Sequence, residues 1–152
     1  MVSSKKLIRY LSLFENISLG RDNATFENVK WAVGVVGLQD YVRQLPNGYD
    51  TLLHPEGQRM PSSILQKIIL ARSISHRPKL LLMKDILHGF LQNDRDRIIE
   101  TLMSNEMGSS ALIISNERDV AKAVDRIVIL KDGKVSDSGT YEEIKDKVQL
   151  KG

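Results

Sequence analysis

The chain has no cysteine among its 152 residues, which excludes a disulfide framework and any thiolate-held metal and accords with a reducing compartment. Long apolar runs are also missing. Runs such as Ile68–Leu70 and Leu80–Met83 fall far short of the ~20 residues that cross a bilayer. Behind Met1-Val2-Ser3-Ser4-Lys5-Lys6 there is neither a long apolar stretch nor a small-residue cleavage site, so no signal peptide is expected. Glycine-rich loops are absent too: the phosphate-cradling pattern G-x-x-x-x-G-K-[ST] occurs nowhere in the chain. The three histidines, His54, His76 and His88, lie far apart and pair with no carboxylate at ligand spacing, so they read as surface residues rather than metal ligands.

What is present belongs to a folded protein. Hydrophobic residues make up 41% and charged residues 27%, enough for one domain with its own core. The net charge of +3 is unevenly spread: from Gln58 to Lys84 there are Arg59, Lys67, Arg72, Arg77, Lys79 and Lys84, and no acid. Such a run can mark a nucleic-acid surface, but aromatics make up only 5% of the chain and none stands here to stack on bases, so a solvated helix face is expected instead.

The first half reads as helical. Phe26, Val29, Val33 and Val36 mark a helix from Thr25 to Val42, capped by Asn23 or Thr25 with Glu27 in its first turn. Pro46-Asn47-Gly48 is a turn. Pro61 suits a first helical residue, and Ile64, Leu65, Ile68, Ile69 and Ala71 follow as a buried face up to about Ser75, before Pro78. The second half alternates. Leu80–Met83 and Ala111–Ile114 are continuous apolar runs, expected as strands buried on both faces of a parallel sheet. Between them a helix is expected from Asp94 to Met107, stopped by Gly108, and a further helix from Asp119 to Val124. Arg126–Leu130, a tight Asp132-Gly133 turn and Val135 read as a hairpin; Thr140 and Glu143 form a capping box for a helix from Tyr141 to Val148.

Three blocks in order, Leu45-Pro46-Asn47-Gly48-Tyr49-Asp50-Thr51, Ile69-Leu70-Ala71-Arg72 and Pro78-Lys79-Leu80-Leu81-Leu82-Met83, resemble the nucleotide-binding domain of exporter-type ABC transporters. The resemblance runs without gaps from about Val2 to Lys147. The family stretch V-P-Q-D-P-F-L-F-S-G-T-I-R-E-N-I aligns with Val2 to Ile17, identical at Val2 and at Glu15-Asn16-Ile17. Ala123–Lys134 and Gly139–Glu143 also fit closely. The resemblance implies an α/β fold: part of a P-loop NTPase (RecA-like) core with the helical signature subdomain of ABC ATPases. It divides the chain into a Q-loop and helical part, about 1–76, and a distal α/β core with C-terminal helix, 77–152. The chain begins at about the Q-loop of the family, so the phosphate loop would lie upstream of it.

At the positions where the family keeps its chemistry, this chain has other residues. The Q-loop glutamine falls on Ser4, which is too short to sense metal and γ-phosphate. The signature L-S-G-G-Q falls on Met60-Pro61-Ser62-Ser63-Ile64. That motif offers an anion a hydroxyl and open glycine N–H groups at a helix start, but Pro61 removes the hydroxyl and one N–H, while Ser62 and Ser63 add side chains. The Walker B aspartate, which holds Mg²⁺, falls on Lys84, and the catalytic glutamate on Asp85. The D-loop aspartate is Leu91 in His88-Gly89-Phe90-Leu91, and the switch histidine is Asn116, which can hydrogen-bond a phosphate but carries no charge.

The resemblance therefore implies the C-terminal part of an ABC exporter ATP-binding domain that does not hydrolyse ATP and has a structural or regulatory role in transmembrane transport. ATP and Mg²⁺ are the family's cofactors, with none expected on this part. The implied partners are the exporter's transmembrane domain and a second nucleotide-binding domain, at the cytoplasmic face of the membrane. Strands lacking neighbours on one side make self-association an expectation as well. Two alternatives come from other classes: a fragment of an active ATPase whose Walker A half is missing, and a basic nucleic-acid-binding relative of ABC ATPases. Lys84 and Asn116 speak against the first, and the exporter-type Tyr49-Asp50-Thr51 block against the second.

Overall fold

A computed structural model of the chain describes residues 8–54, 60–85, 87 and 90–151. Four helices come first. Helix α1, Leu13–Ser18, opens with a capping box: the Ser12 hydroxyl accepts the Glu15 N–H at 3.1 Å, and the Ser12 N–H donates to the Glu15 carboxylate at 2.8 Å. The bond from the Ser12 backbone, then that from its side chain, holds the Glu15 carboxyl below its ordinary pKa. Helix α2, Phe26–Val35, is capped by Thr25, and helix α3 covers Gln39–Gln44. The single helix expected from Thr25 to Val42 is thus two. Gly37, at φ 68°, donates its N–H to the Gly34 carbonyl, while the Leu38 N–H reaches back to the Val33 carbonyl. This is a Schellman stop, with Leu38 fully buried behind it. Val29, Ala32, Val33 and Val36 form the buried stripe, but Phe26 is half exposed and packs instead with Phe14 and Tyr49, the latter edge-on at 5.1 Å.

Helix α4, Ser62–Ile74, starts one residue later than expected, with Pro61 as its N-cap. It buries Leu65, Ile68, Leu70, Ala71 and Ile74; Ile64 and Ile69 are only half buried. Around it Leu13, Ile17, Val29, Val33 and Leu38 complete the helical core. Full burial of each large aliphatic side chain contributes roughly 1.5–3 kcal/mol.

The α/β part begins with β1, Leu80–Lys84, followed by helix α5, Gln92–Met103, and β2, Ser110–Ile114. The two strands pair in parallel, Leu80 opposite Ser110 through Lys84 opposite Ile114. Parallel pairing is as expected, but burial on both faces is not. Leu81 and Met83 are buried in the same core as Ile98 and Leu102 of α5 and Val120, whereas Leu80, Leu82, Leu112 and Ile114 on the other face are 56–70% exposed. No described element covers that face. Helix α5 ends four residues before Met107, because Ser104 turns extended and Asn105–Met107 form a separate 3₁₀ turn before Gly108, at φ 60°. Helix α6 is Arg118–Ala123, one residue earlier than expected.

Strands β3, Ile127–Lys131, and β4, Lys134–Gly139, form the hairpin, its turn made by Asp132 and Gly133 at φ 52° and 75°, the backbone that a two-residue primed turn requires. Thr140 and Glu143 make the expected capping box for α7, but that helix stops at Ile144 rather than Val148.

A polar knot ties the helical and α/β elements together. Asp94 of α5 pairs with Lys67 of α4 at 2.6 Å and with Arg97, whose Nε donates to the Val35 carbonyl at the end of α2 at 3.0 Å.

Candidate functional site

Parallel strands present their ligands at their carboxyl ends, and there β1 and β2 bring three of the singled-out positions together. Lys84 closes β1 in register with Ile114, which closes β2. Asp85 follows, held at φ 49° while its N–H donates to the Ile114 carbonyl at 3.0 Å. Asn116 lies two residues past β2; its carbonyl accepts the Lys151 N–H at 2.7 Å, and the Lys151 carbonyl in turn accepts the Arg118 N–H at 2.9 Å. All three side chains are exposed. The strand ends therefore present one ammonium, one carboxylate and one amide. Among the described residues no group of three or more His, Cys, Asp or Glu side chains is placed to hold a metal ion. A single carboxylate beside a lysine is a poor site for Mg²⁺, which demands several oxygen ligands.

The signature position is elsewhere. Pro61 and Ser62 are exposed and Ser63 half buried at the start of α4, and no side chain caps that helix. Among the described residues no hydrogen bond links it to Lys84, Asp85 or Asn116. Leu91 is the N-cap of α5 and 77% exposed. Ser4, at the Q-loop position, and His88 and Gly89 lie outside the described residues.

Beside Asn116 a cleft of about 470 Å³ opens between α5, α6 and Lys151. Its floor is an ion-pair triad. Arg95 donates to Asp119 at 2.6 and 2.9 Å, to Glu117 at 3.0 Å and to the Leu87 carbonyl at 3.2 Å. Burial opposes the charged form of Arg95, but the bonds to Asp119 and Glu117 outweigh it and raise its pKa above the ordinary arginine value. Nothing in the local spacing marks this triad, because Arg95 of α5 meets the N-cap and first turn of α6, 22–24 residues away.

The basic stretch does not form the solvated helix face expected of it. Lys67 is taken up by Asp94, the Arg77 guanidinium lies 3.3 Å from the centre of the Trp31 ring, and Arg72 is buried with its Nε on the Asn16 carbonyl at 2.7 Å. Lys79 and Lys84 remain exposed, and Arg59 lies outside the described residues. Of the histidines, His54 is exposed as expected. His76 is half buried against Arg21, and burial first, then the Arg21 charge, lowers its pKa below the ordinary value.

No protein-family model matches the chain. Individual relatives do. It is 31% identical over 134 residues to the cyclolysin secretion/processing ATP-binding protein CyaB of Bordetella pertussis, covering 88% of this chain and 19% of that protein. It is 29% identical over 136 residues to the uncharacterized ABC transporter ATP-binding protein YfiB of Bacillus subtilis, covering 90% and 23%. It is 26% identical over 145 residues to ABC transporter B family member 13 of Arabidopsis thaliana, covering 95% and 12%. The structure of a bacterial Atm1-family ABC exporter with ATP bound superposes with a TM-score of 0.81 at 21% identity, over 94% of this chain and 25% of that one. The fold is therefore that of part of an ABC ATP-binding domain, helices of the signature subdomain joined to part of the α/β core. In sequence the chain is similar along about nine-tenths of its length to ABC transporter and ATP-binding proteins. It spans only 12–23% of the length of these curated relatives.

Proposed function

We propose that the chain is a non-hydrolysing part of an ABC exporter ATP-binding domain, with a structural or regulatory role in transport across a membrane. The observation that carries this is Lys84 at the end of β1. Phosphoryl transfer depends almost wholly on positioning and on a metal that neutralises phosphate charge. An ammonium at the metal-carboxylate position repels that metal, and Asp85 alone does not replace the pair of carboxylates. Asn116 in place of the switch histidine and Pro61 at the signature serine point the same way.

In this role residues 1–76 act as the helical part and 77–152 as the distal core. The partners are a transmembrane domain and a second nucleotide-binding domain, on the cytoplasmic side of the membrane. No described helix is long and apolar enough to cross the membrane itself, so membrane contact would come through those partners. The open face of β1 and β2 supports a further property, self-association of the chain when it is alone in solution.

Calorimetric titration with Mg²⁺-ATP tests the nucleotide side. We expect affinity no tighter than about millimolar, the strength of stray phosphate–lysine contacts. A stoichiometric micromolar site, lost on Lys84→Ala, would mean that Lys84 stands in for the metal's charge and that the chain is a nucleotide-binding unit after all.

A further inference from the structure

We propose that Arg9, Arg21, Arg72 and His76 form a binding site for a phosphate group, where the segment entering α1, the loop leaving it and the last turns of α4 meet. Arg72 is only 9% exposed. Its Nε is satisfied by the Asn16 carbonyl at 2.7 Å, but its Nη2 is buried with no hydrogen-bond partner. Arg21 reaches in from the loop after α1: its Nη1 is 3.1 Å from His76 Nδ1 and donates to the Arg72 carbonyl at 3.4 Å. His76 is held in turn by Asn23, whose amide donates to its carbonyl at 2.8 Å. Asn16 also holds the Arg9 main chain: its side-chain N–H₂ donates to the Arg9 carbonyl at 3.0 Å and its side-chain oxygen accepts the Arg9 N–H at 2.9 Å, so the residue whose carbonyl receives Arg72 also anchors the backbone from which the exposed Arg9 side chain extends.

Among the described residues no ion pair involves any of the four. A buried guanidinium with an orphan N–H₂ and no counter-charge is costly, and natural proteins pair or hydrogen-bond such groups. Burial, then the charges of Arg9 and Arg21, pushes the Arg72 pKa down, as a buried guanidinium without a counter-charge requires. One carboxylate would offset a single charge and offer two oxygens. A phosphate carries up to two charges and three oxygens, and guanidinium forks bind it bidentately. None of these residues stands at the ends of β1 and β2, so either site can fail without the other.

The test titrates the full chain with inorganic phosphate at low ionic strength. In parallel it measures pelleting with phosphatidylcholine vesicles made with and without phosphatidic acid, to separate a soluble phosphate from a lipid headgroup. Arg21 is exposed, so Arg21→Ala should keep the far-UV spectrum and thermal transition of the parent chain; Arg9→Ala serves as a second surface variant should Arg72→Gln fail to fold. Saturable phosphate binding that Arg21→Ala weakens about tenfold, the loss of one charge-assisted hydrogen bond, supports the site. Binding to phosphatidic acid vesicles alone, with the same loss in Arg21→Ala, supports it with a lipid as source. Absence of both, or binding that the folded Arg21→Ala and Arg9→Ala variants leave unchanged, overturns it.

Discussion

Asn16→Ala is expected to destabilise the chain by about 3–4 kcal/mol, the cost of losing four side-chain hydrogen bonds at a buried position. Asn16 is fully buried, and its amide donates to the carbonyls of Arg9, Leu11 and Ser12 at 3.0–3.1 Å while its oxygen accepts the Arg9 N–H. The three carbonyls also accept backbone N–H groups, from Leu11, Leu53 and Asn16 itself, but the Arg9 N–H is received by the Asn16 side chain, so one residue ties the segment entering α1 to the helix. Truncation also leaves a small void beside Arg72 and loosens the carbonyl that receives its Nε. In a domain of this size the midpoint of thermal unfolding should fall by roughly 6–16 °C. Urea denaturation of both proteins provides the check. A change below about 1 kcal/mol would mean that water replaces the amide and that the segment is not organised by it.

Introducing charge on the open sheet face should produce the second large effect. Leu80, Leu82, Leu112 and Ile114 stand side by side on adjacent strands and are 56–70% exposed. Exposed aliphatic side chains in one contiguous patch favour association, and another copy of the chain presents the same patch. At micromolar concentration we expect sedimentation velocity to show self-association of the parent chain. Replacing Leu82 and Leu112 together by lysine removes roughly 3 kcal/mol of apolar burial across such a contact and adds like charges, so the dissociation constant should rise at least about a hundredfold. Helices α1 to α4, which do not contribute to that face, should keep their circular dichroism. A parent chain that sediments as a stable monomer would show that the face is tolerated in water, and self-association would have to be abandoned.

Much of this architecture is legible in the residues, and the exceptions have physical causes. Capping boxes are local chemistry, so Thr140 with Glu143 could be read directly and the structure forms it. The Asp132-Gly133 turn is equally local. Gly37 was hidden because Val33 and Val36 keep helical spacing on its N-terminal side and Val42 beyond it, and periodicity alone does not register a residue at φ 68°. The apolar runs of β1 and β2 correctly indicated a parallel pair, but apolarity states only what a strand can bury. It does not say whether a covering element is present, and here no described element covers one face. The site positions were legible only through the family frame. Lys84, Asp85 and Asn116 do converge at the strand ends, whereas Pro61, Ser62 and Ser63 stand at the start of α4, apart from them. Arg95 with Glu117 and Asp119, and Arg72 on Asn16, escaped notice because they join elements 22 to 56 residues apart. Even so, Asn16 and Arg72 both sit in blocks singled out from the sequence, and the fold places one on the other.

Phosphate release from Mg²⁺-ATP tests most directly whether the strand ends have lost their chemistry. With Lys84 at the end of β1, Asn116 beyond β2 and no phosphate loop among these 152 residues, the chain is expected to release no phosphate above a protein-free blank. Release above the blank that disappears on Asp85→Asn would contradict this, because it would make Asp85 a working catalytic carboxylate and the chain an active ATPase.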